Sequence, residues 1–208
     1  DGTITSIVSA NQAAGFSIVS YTGSSTLGDT IGHGLGTPEL IICKKTTGAA
    51  NWAVWSSTFS AASETLFLDL TSPSNQYINR FGTVTSTTFQ AGSSGGSEVN
   101  PSGGGMIAYC FTSISGYSKV GSYVGTGSAG NPQNIGFAPS FVLLKMTTST
   151  ESWWVFDTDR PDKRLEPNTS DAEANETRFT FTSTGFSFTS GWSNDSGETF
   201  IYLAIKEN

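Results

Sequence analysis

Charge is scarce in this chain: Asp, Glu, Lys and Arg together make up 13% of its 208 residues, about half the usual share of ~25%. What charge there is leans acidic, with 10 Lys and Arg against 17 Asp and Glu and a net charge of −7. That balance repels a phosphate backbone, and no basic run makes a local exception, so nucleic acid is not an expected partner. Histidine occurs once, at His33, and cysteine twice, at Cys43 and Cys110. Two thiols and one imidazole are a poor basis for a metal site, so none is expected. No stretch approaches the ~18 consecutive apolar residues that a spanning helix needs, so membrane insertion is not expected either. The chain opens on Asp1 with no signal peptide and reads as part of a longer polypeptide.

Glycine is plentiful, with 24 residues, and aromatics reach 12%, including 14 Phe. Disordered chains are poor in aromatics and rich in charge; this one is the reverse and reads as folded. Arg178-Phe179-Thr180-Phe181-Thr182 and Gly185-Phe186-Ser187-Phe188-Thr189 alternate strictly, as strands with one face on a core do. Leu40 to Cys43, Met106 to Phe111, Phe141 to Leu144 and Phe200 to Ile205 are denser and suit central strands covered on both faces. Gly/Ser/Asn/Pro clusters such as Ala91 to Gly105 read as loops. Short helical turns are conceivable near Ser60 to Glu64 and Ser170 to Glu176. The expected fold class is all-β, a β-sandwich or jelly-roll-like arrangement.

The sequence repeats itself. Gly15-Phe16-Ser17 recurs as Gly116-Tyr117-Ser118, an offset of 101 (116 − 15). Pro38 and Pro139, Lys44 and Lys145, and Trp52 and Trp153 keep that offset. Met106 to Phe111 matches Phe200 to Ile205 at an offset of 94 (200 − 106). The expected organisation is a lead-in at 1–14, a first β repeat at 15–111 and a second at 116–208, the two packing as one unit. Cys43 matches Leu144 and Cys110 matches Ala204, so both thiols read as small buried hydrophobes, with a disulfide between them as the alternative.

Candidate chemistry is sparse. His33 sits in a Gly-rich loop whose match in the second repeat has no histidine, and no nucleophile-elbow motif accompanies it, so a catalytic triad is not expected. Asp157 to Asp162 reads as a turn with Arg160 pairing, with calcium as the alternative. Asp69, Glu98, Asp157 and Asp195 are the carboxylates from which a sugar-hydrolysing pair would have to come. The five tryptophans are more informative. Aromatic faces with polar neighbours suit sugar rings, because a π face packs on C–H groups while amides take the hydroxyl hydrogen bonds. Trp52 and Trp153 read as matched core residues. Trp154 replaces Ala53, and Trp192 lies in a polar loop beside Asn194 and Asp195. Trp192, Asn194, Asp195 and Trp154 are therefore the expected ligand-binding residues, with no catalytic residue and no cofactor.

Gly15 to Gly23, Ile31 to Pro38, Gly116 to Gly125 and Thr199 to Ala204 together resemble a β-rich structural domain found in tail-fibre and other virion proteins of marine tailed bacteriophages, including cyanophages. The resemblance covers nearly the whole chain in the expected order. It implies a virion surface location, a non-enzymatic role in host attachment, a host-envelope receptor of carbohydrate type, other virion proteins as neighbours, and a homotrimer. A capsid decoration or capsid-fibre protein is the alternative, and a polysaccharide-degrading tailspike a more distant one. The charged stretch Arg160 to Glu176 departs from the pattern and reads as a variable, exposed loop.

Overall fold

A computed structural model describes residues 1–92 and 98–207. The described chain is all-β; its only helical element is a 3-10 turn at Gln12–Ala14. It divides into two compact units, one made of 1–68 and 74–112, the other of 69–73 and 113–208.

The first unit contains, in chain order, β1 (Ser6–Asn11), β2 (Phe16–Thr22), β3 (Thr30–Gly32), β4 (Leu40–Lys45) and β5 (Ala53–Ser56). It continues with β6 (Glu64–Phe67), β7 (Tyr77–Ile78), β8 (Phe81–Val84), β9 (Thr88–Ala91) and β10 (Gly105–Phe111). The second contains β11 (Ser118–Val124), β12 (Gly130–Asn134), β13 (Phe141–Met146), β14 (Trp153–Asp157) and β15 (Lys163–Arg164). Then follow β16 (Ala174–Asn175), β17 (Phe179–Thr182), β18 (Gly185–Phe188) and β19 (Thr199–Ile205). Residues 1–14, expected as a lead-in, carry β1, which pairs antiparallel with β2 along its whole length. The stretches around Ser60 to Glu64 and Ser170 to Glu176 form turns, bends and short strand segments instead of helical turns.

One strand order occurs in both units. The larger sheets contain β2-β10-β4-β5 and β11-β19-β13-β14; the smaller ones are β3-β9-β8 and β12-β18-β17. In the second unit the two sheets face each other across a core of alternate residues. Val142, Leu144 and Met146 come from β13, Trp154 and Phe156 from β14, Phe200, Tyr202 and Ala204 from β19, and Phe179, Phe186 and Phe188 from the smaller sheet. This is the period-2 pattern of a sandwich. Phe156 and Phe179 stack across it at 4.0 Å between ring centroids.

The register corrects one alignment. Met106 lies opposite Tyr21, and Phe200, its match at offset 94, lies opposite Tyr123. Tyr21 therefore corresponds to Tyr123, an offset of 102 (123 − 21), not the 101 suggested by Gly15-Phe16-Ser17. The single residue matters, because a slip of one exchanges the two faces of a strand.

Candidate functional site

Trp154 pairs with Leu144 across β13 and β14 and is only 2% exposed. A ring so enclosed has no free face for a ligand, so the expectation for Trp154 is corrected: it is a core residue. Half-buried Trp192 packs against it, with centroids 4.6 Å apart. The outer side of Trp192 is occupied as well. The guanidinium carbon of Arg178 lies 4.1 Å from its ring centroid and that of Arg164 5.0 Å. Glu176, its side chain fully buried, lies 2.7 Å from Arg178 Nη2 and 3.2 Å from Arg164 Nη1. Arg164 also reaches Glu166 at 3.0 Å. The charges of this stretch are therefore turned onto one another and onto Trp192, and the hydrogen bonds Arg178 donates to Glu176 push its guanidinium further up from its ordinary range.

Asn194 is fully buried and its amide is used internally. Its Oδ1 accepts from Thr126 N at 3.0 Å and from Asn131 Nδ2 at 2.7 Å; its Nδ2 donates to Ser128 O at 2.7 Å. Asn100 does the same in the first unit, accepting from Ser24 N at 2.7 Å and donating to Thr26 O at 2.9 Å. One residue earlier, Val99 O and Ser193 O accept the hydroxyls of Tyr21 and Tyr123, at 2.6 Å and 2.5 Å. Asn194 thus belongs to a tyrosine–asparagine clamp built into both units, which corrects its reading as a ligand contact. Asp195 is exposed.

Several further titratable groups are engaged. Asp157 accepts from Arg160 N at 3.0 Å and from Arg160 Nη2 at 2.5 Å, a side-chain-capped turn. Glu98 lies 3.3 Å from Arg80. His33 is buried; its Nδ1 accepts from Leu35 N at 3.1 Å and its Nε2 lies 3.2 Å from Thr85 O. Those contacts suit a neutral imidazole with the proton on Nε2, and desolvation holds its pKa below the ordinary value. Cys43 and Cys110 are free buried thiols; desolvation pushes Cys110 up to about 12 and Cys43 further. Lys145 is fully buried, donating to Met146 O at 2.5 Å and Thr71 O at 3.3 Å, and desolvation lowers its pKa to about 8. A nucleophilic amine needs access to substrate, and this one has no exposed surface. Among the described residues no group of three His, Cys, Asp or Glu side chains is placed to hold a metal ion.

Open surface lies nearby. A groove of about 340 Å³ in the second unit is lined by Phe179, Thr180 and Phe181 of β17 and by Thr158, Pro161 and Asp162 of the turn after β14. β17 is the outer strand of its sheet. Phe181 is half-buried and offers ring surface, while Thr158, Thr180 and Asp162 are exposed. The alternation of Arg178 to Thr182 announces the strand, but which edge stays open depends on pairings that periodicity does not show.

These features define an all-β domain of two compact units, each built on one strand order and one buried clamp. The chain belongs to the family described as Domain of unknown function (DUF7483), which it matches over residues 1–208. No curated protein and no solved structure matches it.

Proposed function

We propose that this chain is a virion surface domain of a tailed phage, carried on a tail fibre, which binds a host-envelope glycan through the groove along β17. The observation that carries the binding reading is the make-up of that groove: partly exposed Phe181 beside the hydroxyls of Thr158 and Thr180 and the carboxylate of Asp162. Ring surface beside neutral hydrogen-bonding groups suits sugars. With a net charge of −7, long-range attraction to an anionic envelope is not available, and short-range contacts take its place. The shared strand order and clamp support reading the chain as two copies of one β unit in which the second copy carries the groove. Three copies on a fibre would turn weak single-site contacts into avid attachment. Immunogold labelling of intact particles tests the location, with label expected at the fibres; label spread over the capsid would favour a decoration protein. Phe181→Ala is expected to weaken adsorption of the isolated chain to host envelope about tenfold, and unchanged adsorption would remove the groove from the contact.

A further inference from the structure

A second pocket, of about 350 Å³, lies in the second unit and shares no lining residue with the groove along β17. It is bounded by the turn at 113–117, Lys119 of β11, Asn134 and Ile135 at the end of β12, Phe137, and Tyr202 of β19. Its walls are held in place by the backbone. Tyr117 N and Ser118 N both donate to Ile114 O at 2.9 Å, and Ile114 N returns a bond to Ser118 O at 3.0 Å. On the opposite side Ile135 N donates to Thr184 O at 2.8 Å, and Thr184 Oγ1 donates to Asn134 Oδ1 at 3.0 Å.

The Tyr202 ring is enclosed, the residue being 7% exposed, while it lines the pocket and is not among the residues whose polar atoms are buried without a partner. A phenol with an enclosed ring and a reachable hydroxyl offers that hydroxyl to a ligand. Desolvation raises its pKa, so the hydroxyl keeps its proton and acts as a donor. Lys119 is half-buried and has no acceptor or acidic partner among the described residues. With Asn134 Oδ1 occupied by Thr184, the amide presents its NH₂ side. The pocket thus gathers a cation, a hydroxyl donor and an amide donor beside the apolar surface of half-buried Ile135, which is backed by the core residue Phe137.

The scaffold does not ask for this set. At the corresponding positions of the first unit Ala108 faces Val19 and Cys110 faces Ser17. Here Tyr202 faces Gly121 and Ala204 faces Lys119. The exchange is coupled: a Cβ on Gly121 would come 2.3 Å from the Tyr202 hydroxyl oxygen, so the ring lies across that strand only because position 121 is glycine.

We propose that the pocket between the 113–117 turn, Lys119, Asn134 and Tyr202 binds the carboxylate-bearing ring of an acidic sugar, a uronic acid residue. Lys119 takes the carboxylate, Tyr202 and Asn134 donate to ring oxygens, and half-buried Ile135 packs on the C–H face. The volume lies at the small end of the ~300–1,000 Å³ range of small-molecule sites, which suits one or two sugar rings. The site does not depend on the groove along β17 or on where the protein is carried.

Titration of the whole chain with methyl glucuronide and with methyl glucoside, identical except for the carboxylate, tests this by calorimetry or protein-observed NMR. The glucuronide is expected to bind about tenfold or more tightly than the glucoside, since a charge-assisted hydrogen bond distinguishes them. Lys119→Met is expected to erase that preference, and Tyr202→Phe to weaken binding of both sugars with little loss of fold. Equal affinity for the two sugars, absence of saturable binding at millimolar glucuronide, or a preference that survives in Lys119→Met would each overturn the proposal. If Lys119→Met does not fold, Lys119→Gln serves in its place, and added salt must weaken glucuronide binding to the wild-type chain.

Discussion

Arg178 lies over Trp192, 4.1 Å from guanidinium carbon to ring centroid, while Trp154 supports the tryptophan from below at 4.6 Å. A ring held from both sides stabilises the fold. Trp192→Ala is expected to cost about 2–3 kcal/mol in urea denaturation, less than the ~3–5 of a fully enclosed aromatic because the ring is only half-buried. A loss within about 1 kcal/mol would mean that the ring is in effect a surface group.

Glu176 has its side chain fully buried between Arg164 and Arg178. Removing the buried partner of an ion pair typically costs ~3–5 kcal/mol; here both arginines reach solvent, which moderates the penalty. Glu176→Ala is expected to lower stability by about 2 kcal/mol and to increase amide hydrogen exchange across 160–177. Unchanged exchange there would show that the stretch is held by other contacts.

The two clamps permit a matched comparison. Asn100→Ala and Asn194→Ala each strand buried donors and acceptors, so each is expected to cost about 2–3 kcal/mol. Scanning calorimetry of both variants checks this. If Asn194→Ala leaves stability unchanged but alters sugar binding, the clamp reading of Asn194 fails.

Both thiols are buried and desolvation raises their pKa values. The thiolate is the reactive species, so iodoacetamide at pH 8 is expected to leave both unmodified until denaturant is added. Intact mass before and after labelling gives the count, and modification of the native chain would show that one of them is accessible.

His33 introduces a pH dependence with a definite sign. Its folded pKa lies below its ordinary value of 6.5 because burial penalises the cation. The unfolded chain therefore binds a proton that the folded chain refuses, and stability is full above about 6.5 and falls as pH drops through the folded value. Melting temperature measured from pH 8 down to 4.5 should decline over that window, and less steeply in His33→Gln. Identical slopes would assign the decline to other groups.

The strands were legible in the sequence because burial on one face leaves a period-2 trace, and alternating Phe179, Phe181, Phe186 and Phe188 carry it plainly. The surroundings of the two candidate tryptophans were not. Trp154 looked dispensable because Ala53 stands in its place, and Trp192 because its loop is polar. Each argument considered one ring alone. The offset of 94 that aligns β10 with β19 also aligns Glu98-Val99-Asn100 with Trp192-Ser193-Asn194. At those positions Glu98 meets Arg80 at 3.3 Å, whereas Trp192 stacks on Trp154 and meets Arg178. Stacking between residues so distant in sequence leaves no local pattern.

The clamps also bear on how such a domain changes over generations. Val99 follows Ala91 by eight positions, whereas Ser193 follows Phe188 by five (99 − 91 and 193 − 188); both stretches nevertheless end on a carbonyl held by a tyrosine hydroxyl. A connection anchored at its far end can gain or lose residues without shifting the strand that follows, so length variation is absorbed where it arises.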